Sequence, residues 1–221
     1  VLLICVTLEA GASLEYVSLP EQENESGILF VHRTFAVQEG AKVTHIDCVP
    51  KKTHSKTSTF AYLLGERASS FLYGLSYGLG NTMADIFHQT THVAPQTVSD
   101  MQTESILGDS AHAIYRSMID IAETALGAKG SQKQHTTLLS AKTKIQSVPN
   151  LMVAQKDVEC SHGVSISQPS KEVLFYLSSR GVSEKEAKKE LVFAQCNTIL
   201  SRISQEKIRK EVFGYINSLL Q

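Results

Sequence analysis

The sequence predicts a mainly β chain: a parallel solenoid followed by a small α-helical domain. Two patterns predict it. Small-residue turns recur through most of the 221 residues, each followed by an alternating run rich in Val, Ile, Thr and Ser. After Pro169 the apolar period lengthens from two residues to the helical value.

The first element is "VLLICVTLEAG". It is apolar up to Glu9, without a basic start, and far short of the ~20 residues that span a bilayer. It reads as a buried strand. The turns then follow in "EAGASLEYVSL", "QEGAKVTHIDC", "LGERASSFLYGL", "LGNTMADIFH", "LGDSAHAIYRSM" and "LSAKTKIQSV". Their anchors Gly11, Gly40, Gly65, Gly80, Gly108 and Ser140 lie 29, 25, 15, 28 and 32 residues apart. Such spacing suits solenoid coils, each of which must stack on its neighbours to bury its apolar face. A β-sandwich with Gly-containing hairpins has the same strand period and stays open as the alternative. The Pro-led polar stretches "PEQENESG" (20–27) and "PKKTHSKTST" (50–59) read as loops leaving the coil.

The helices come last. "SQPSKEVLFYLSSRG" carries Pro near its start and Gly181 at its end, the usual asymmetry of a helix. Ser183 and Glu186 form a capping box for the next, whose stripe is Ala187, Leu191 and Ala194. A third begins near Ser204, with Ile208, Val212, Ile216 and Leu220 at i+4 spacing. The division is 1–168 for the solenoid and 169–221 for the helical domain.

Charge excludes some partners. The net charge is −1, so no global field attracts nucleic acid or an anionic membrane. It is unevenly spread, with +3 from Pro169 onward and −4 before it. The cysteines at 5, 48, 160 and 196 form no CxxC pair. That usage points to reduced thiols and a cytoplasmic location.

Few stretches carry chemistry. "HQTTH" places His88 and His92 four apart, but lacks the Glu of a zinc protease. On a strand, positions i and i+4 lie roughly 13 Å apart, too far to share one metal. "GLGNTMAD" lacks a phosphate-binding Lys, and no GxSxG elbow occurs. Cys196 falls in a helix and reads as core. What remains is "DVECSHGVSIS" (157–167). At period two, Val158, Cys160, His162, Val164 and Ile166 share one face, expected to point into the protein. A buried Cys and a satisfied core His are the plain reading of that pair. The functional reading is a soft-metal or iron–sulfur contact, because thiolate and imidazole are the ligands such centres use. One Cys/His pair cannot complete a four-ligand site, so other ligands must come from another chain.

The run "DVECSHGVSISQPSKEVLFYLSSRGVSEKEAKKEL" (157–191) resembles the C-terminal signature of the SufB/SufD family, non-ATPase subunits of the Suf iron–sulfur cluster assembly complex. Val158, Cys160, Ser161, His162 and Gly163 match its V-x-C-S-H-G strand. Leu174 to Leu177, Ser179, Arg180 and Gly181 match the helix that follows. "TTHVAPQTVSD" is similar to its His-x-x-Pro stretch, and "HTTLLSAKTKIQSVPNLMV" resembles its last coils. Ser161 and Gly163 flank the histidine where SufB has glutamates, and Ser140–Ala141 offers no thiol, which favours the SufD branch.

The resemblance implies a right-handed parallel β-helix with a helical tail, acting as a scaffold and not as an enzyme by itself. It implies that the tail docks a SufC-like ABC ATPase, the only route by which ATP enters, and that the β-helix edge pairs with a SufB-like paralogue. It places His162 at that interface, as a shared metal contact beside a transient iron–sulfur cluster that this chain does not hold alone. ATP binding would then expose a buried Cys160 and His162. Two rivals stand beside it: a homodimeric solenoid pairing through the same edge, and a polysaccharide-active β-helix enzyme, for which no ladder of carboxylates is visible.

Overall fold

The structure is a computed structural model that describes residues 1–19, 27–49 and 54–219. Twelve strands come first: β1 (Leu2–Leu8), β2 (Ser13–Ser18), β3 (Ile28–Val37), β4 (Lys42–Val49), β5 (His54–Leu63), β6 (Ser69–Gly78), β7 (Met83–His92), β8 (Val98–Leu107), β9 (His112–Ile121), β10 (Lys129–Leu138), β11 (Lys144–Val153) and β12 (Glu159–Ser167). Helices α1 (Lys171–Ser179), α2 (Glu184–Leu200) and α3 (Glu206–Leu219) follow.

Odd strands form one six-stranded sheet in the order β1-β3-β5-β7-β9-β11, and even strands form the other, β2 through β12. All pairings within both sheets are parallel. Successive strands therefore alternate between two sheets, and each coil stacks on the one before. This is a parallel β-solenoid; the sandwich alternative would have needed antiparallel hairpins.

The turns stack too. Gly11, Gly40, Arg67, Gln96 and Gly127 all have positive φ, and their positions step by 29, 27, 29 and 31 residues. Each donates its N–H to a carbonyl of the next coil, from Gly11 N to Glu39 O at 2.8 Å through to Gly127 N to Asp157 O at 2.9 Å. Gly80 and Asp109 form a second such corner, tied by Gly80 N to Asp109 Oδ2 at 2.9 Å. The sequence anchors mixed these two corners, which is why their spacing looked irregular.

The interior is not uniformly apolar. Phe35, Val37, Val43 and Leu63 make one cluster, but Thr57, Thr59, His88, Thr90, Thr103, Gln132 and Gln134 are equally buried. Arg33 makes a two-pronged ion pair with Asp47, at 3.0 and 2.9 Å, and Arg33 Nη2 donates to Ser18 Oγ at 2.8 Å. This polar interior corrects one sequence expectation. Residues 54–59 are the start of β5 and not a loop, because Ser55, Thr57 and Thr59 point inward. The loop expected over 20–27 and the start of the 50–59 stretch lie mostly outside the described residues.

The helix starts follow the sequence reading, but the inner face of α2 is turned from the expected stripe: Ala187 is buried, Leu191 half-buried and Ala194 exposed, while Val192, Cys196 and Ile199 are buried instead. Ser170 caps α1, and Ser183 and Glu186 form the full capping box of α2. Helix α2 packs on β6 and β8. Val192, Cys196, Ile199, Val212 and Ile216 bury against Ile46, Cys48, Tyr73, Leu75 and Ile106 on the outer face of the even sheet. Leu220 lies outside the described residues. Among the described residues no helix is long and apolar enough to cross a membrane.

Candidate functional site at the open end of the solenoid

Strand β12 is the last of the even sheet and pairs only with β10. The parallel register sets Cys160 beside Gly130, His162 beside Gln132, Val164 beside Gln134 and Ile166 beside Thr136. All four β10 partners are buried inside the solenoid. Cys160, His162, Val164 and Ile166 are thus on the inward face, as period two predicted. Yet they are not buried. His162 is exposed, Val164 and Ile166 are 41% and 48% exposed, and Cys160 is half-buried. A strand's pattern identifies its inner face; burial needs a further coil on top, and β11–β12 is the last one described. The opposite wall is open as well, with Val153 of β11 46% exposed.

Cys160 packs with Val158 and Leu151 against Leu72, Met101, Ile119 and Ile121. Partial burial raises its thiol pKa, a backbone contact with Gly130 opposing, so the group is a protonated thiol at neutral pH. It also lines a groove of about 390 Å³ with Asp100, Lys129, Ser131 and Glu159. Lys129 Nζ meets Glu159 Oε1 at 2.8 Å along that groove.

The other candidate pair is structural. His88 and His92 both face inward on β7 and are fully buried. His92 bonds Thr97 Oγ1 and Ser99 Oγ, each at 2.8 Å, and His88 Nδ1 lies 3.4 Å from Tyr115 Oη. Each ring thus has hydrogen-bond partners of its own. Among the described residues no three His, Cys, Asp or Glu side chains converge to hold a metal ion.

Sequence reasoning missed a second constellation. His135 of β10 bonds Glu104 Oε2 through Nδ1 and Ser167 Oγ through Nε2, both at 3.1 Å. Gln195 of α2 donates to the same Glu104 oxygen at 2.9 Å. The separations of 31 and 32 residues match the coil period, the one signal in the sequence that could have linked them.

Fold and site together define a parallel β-solenoid scaffold with a helical domain on one sheet, whose last coil displays a thiol and an imidazole. The family model for the SufBD core domain of SUF-system FeS cluster assembly matches residues 3–195, from β1 into α2. The chain belongs to the SufBD family of iron–sulfur cluster assembly proteins. It is 22% identical over 215 residues to the iron–sulfur cluster assembly protein SufD of Escherichia coli, covering 97% of this chain and 51% of that protein. It is 27% identical over 191 residues to SufBD family proteins of Staphylococcus epidermidis and Staphylococcus aureus, covering 85% of this chain and 40% of theirs. The chain thus spans 40–51% of the length of these relatives.

Proposed function

We propose that this chain is a SufD-like scaffold subunit on which an iron–sulfur cluster is assembled at an interface with a partner chain. The observation that carries it is the open last coil. Cys160 and His162 lie on its inner face, beside the unpaired edges of β11 and β12 and the exposed apolar side chains of Val153, Val164 and Ile166. An uncovered apolar face with free backbone edges is a template for strand addition by another chain.

The cluster is cargo in this reading, and this chain supplies only part of its ligand set. His162 offers an imidazole nitrogen, Cys160 a thiol that must lose its proton to bind iron. A SufB-like paralogue completes the site. The helical domain engages a SufC-like ATPase, through which ATP acts. Because the described residues do not themselves bury the pair, docking of the partner coil provides the dry environment, and movement at that interface controls access. The chain acts as scaffold and not as catalyst, in the cytoplasm.

A second reading is a homodimer through the same edge. It is favoured by the self-complementary character of an open sheet edge, since an isologous contact needs one patch only. Co-expression with SufB-like and SufC-like partners, followed by anaerobic purification, tests both. Iron and acid-labile sulfide should fall together in His162→Ala with the complex intact. Unchanged iron and sulfide would leave His162 a surface residue of the interface. A single species at twice the chain mass, with no partner bound, would favour the homodimer.

A further inference from the structure

We propose that His135 is a positioning residue: it couples α2 of the helical domain to β12, the strand that carries Cys160 and His162. The proposal rests on the reading that this pair serves cluster assembly.

Ser167 is the last residue of β12, where the chain leaves the solenoid for α1. It is tied to His135 Nε2 at 3.1 Å. The other ring nitrogen is held by Glu104, a residue only 5% exposed. A carboxylate only accepts, so Nδ1 carries the proton; in the neutral ring Nε2 then accepts from the Ser167 hydroxyl. Gln195 closes the network from α2. Its amide donates to Glu104 Oε2 at 2.9 Å, to Ser105 O at 3.3 Å and to His135 O at 3.5 Å. Gln102 Nε2 holds the second carboxylate oxygen at 3.2 Å.

The connectivity is that of an acid–base relay, but its serine sits at a structural joint. Among the described residues β12 has a backbone neighbour on one side only, so its outer end depends on such ties. Displacing α2 removes the Gln195 amide and opens Glu104 to water. The buried carboxylate then loses its grip on His135, and His135 on Ser167. A pull on the helical domain is thereby transmitted along β12 to the face that bears Cys160 and His162.

The test uses the full chain, without iron. Gln195→Leu, His135→Phe, His135→Gln and the control Glu190→Ala are compared with the wild type. Two quantities are read: amide exchange across 159–167 and the alkylation rate of Cys160. Gln195→Leu lies in α2, and the hydrogen bonds it removes go to β8 and β10 and not to β12, so a merely structural role would leave Cys160 unmoved. We expect it to speed both by about tenfold, the scale of losing one hydrogen bond to a charged group. The urea midpoint should fall by no more than that one bond is worth, and exchange in β4 and β6 should speed less than in β12. His135→Phe should do the same, His135→Gln should recover part of the wild-type rate, and Glu190→Ala, at an exposed position of α2, should change neither. Unaltered exchange in β12, or loosening spread evenly over the chain, overturns the proposal. Iron and sulfide content of the His162→Ala complex reports separately on the functional reading, so the two can fail independently.

Discussion

His162 and Gln132 are direct neighbours in the parallel register of β12 and β10, on the same inward face, yet Gln132 is 2% exposed and His162 is open to solvent. Nothing local distinguishes the two positions. The difference is that a coil covers β10 and none among the described residues covers β12. The candidate site is therefore a property of the solenoid's end.

If a partner coil covers that end, its apolar floor should be needed for pairing and dispensable for folding. Val164→Asp and Ile166→Asp place a charge where the isolated chain leaves 41% and 48% exposed side chains. Each should leave the chain's own melting temperature within a degree or two. Burying one such side chain is worth about 1.5–3 kcal/mol, so each substitution should weaken pairing by about ten- to a hundredfold. Sedimentation of the mixed subunits measures it.

The four thiols give an independent readout of both packing layers. Cys5 is exposed, Cys160 half-buried, and Cys48 and Cys196 sit together in the cluster between solenoid and helices. Burial pushes the Cys196 thiol up to about 12 and raises Cys48 as well. A thiolate-selective reagent should modify Cys5 first, Cys160 more slowly, and the other two only on unfolding. A bound partner should protect Cys160 and leave Cys5 unchanged. Early reaction of Cys196 would show that the helices do not cover the even sheet.

Much of this fold was legible because its punctuation is chemical. Gly11 and Gly40 mark one stacked corner, and Ser183 with Glu186 marks the start of α2. What failed has a physical cause. "THSKTST" looked like a loop since its inward residues are hydroxyls, and hydrophobic alternation does not register a polar interior. Arg33 and Asp47 are invisible for the same reason. Cys160 and His162 were placed on the correct face, but their exposure depends on what stacks beyond, which one strand cannot report. Glu104, His135 and Ser167 come from three coils, and only the solenoid period brings them together.

The buried histidines should make the solenoid acid-sensitive. Burial holds His88 down to about 3 and His92 to about 4, and pushes His45 well below the ordinary value. Their folded values are depressed, so the unfolded chain binds protons first as pH falls below about 6.5. Stability is complete above that pH and declines toward pH 4, by about 1.4 kcal/mol per pH unit for each histidine kept neutral. His92→Gln removes one titrating group. Urea unfolding between about pH 6.5 and pH 5 should show a slope smaller by one proton. An unchanged slope would mean that His92 is already charged in the fold.

The Arg33–Asp47 pair should be far more costly to break than to keep. Both side chains are 2% exposed, so removing either leaves a buried charge without its partner. Asp47→Ala and Arg33→Ala should each lose about 3–5 kcal/mol in urea unfolding. Lys129→Ala breaks an ion pair whose side chains are 57% and 75% exposed, and should lose less than about 1 kcal/mol. Equal losses would mean that Arg33 and Asp47 are reached by water.

Gly40 and Gly65 look alike in sequence, each opening a turn before an alternating run, but they are glycines for different reasons. Gly40 has φ +60° and nothing within 4 Å of where a Cβ would sit. Gly40→Ala then meets only the backbone cost of the left-handed region, about 1–2 kcal/mol. Gly65 lacks the positive φ, but a Cβ there would lie 2.0 Å from Glu39 N and 2.4 Å from Gln38 C, both main-chain atoms of the preceding coil. Backbone cannot swing aside as a side chain does. Gly65→Ala must push two coils apart at the corner where Gly65 N donates to Val37 O at 3.2 Å. It should lose more than about 4 kcal/mol, the range reserved for such clashes, or prevent folding outright. Parallel urea melts of the two variants decide it: if Gly65→Ala is as mild as Gly40→Ala, the coils do not stack as closely at that corner as the structure has them.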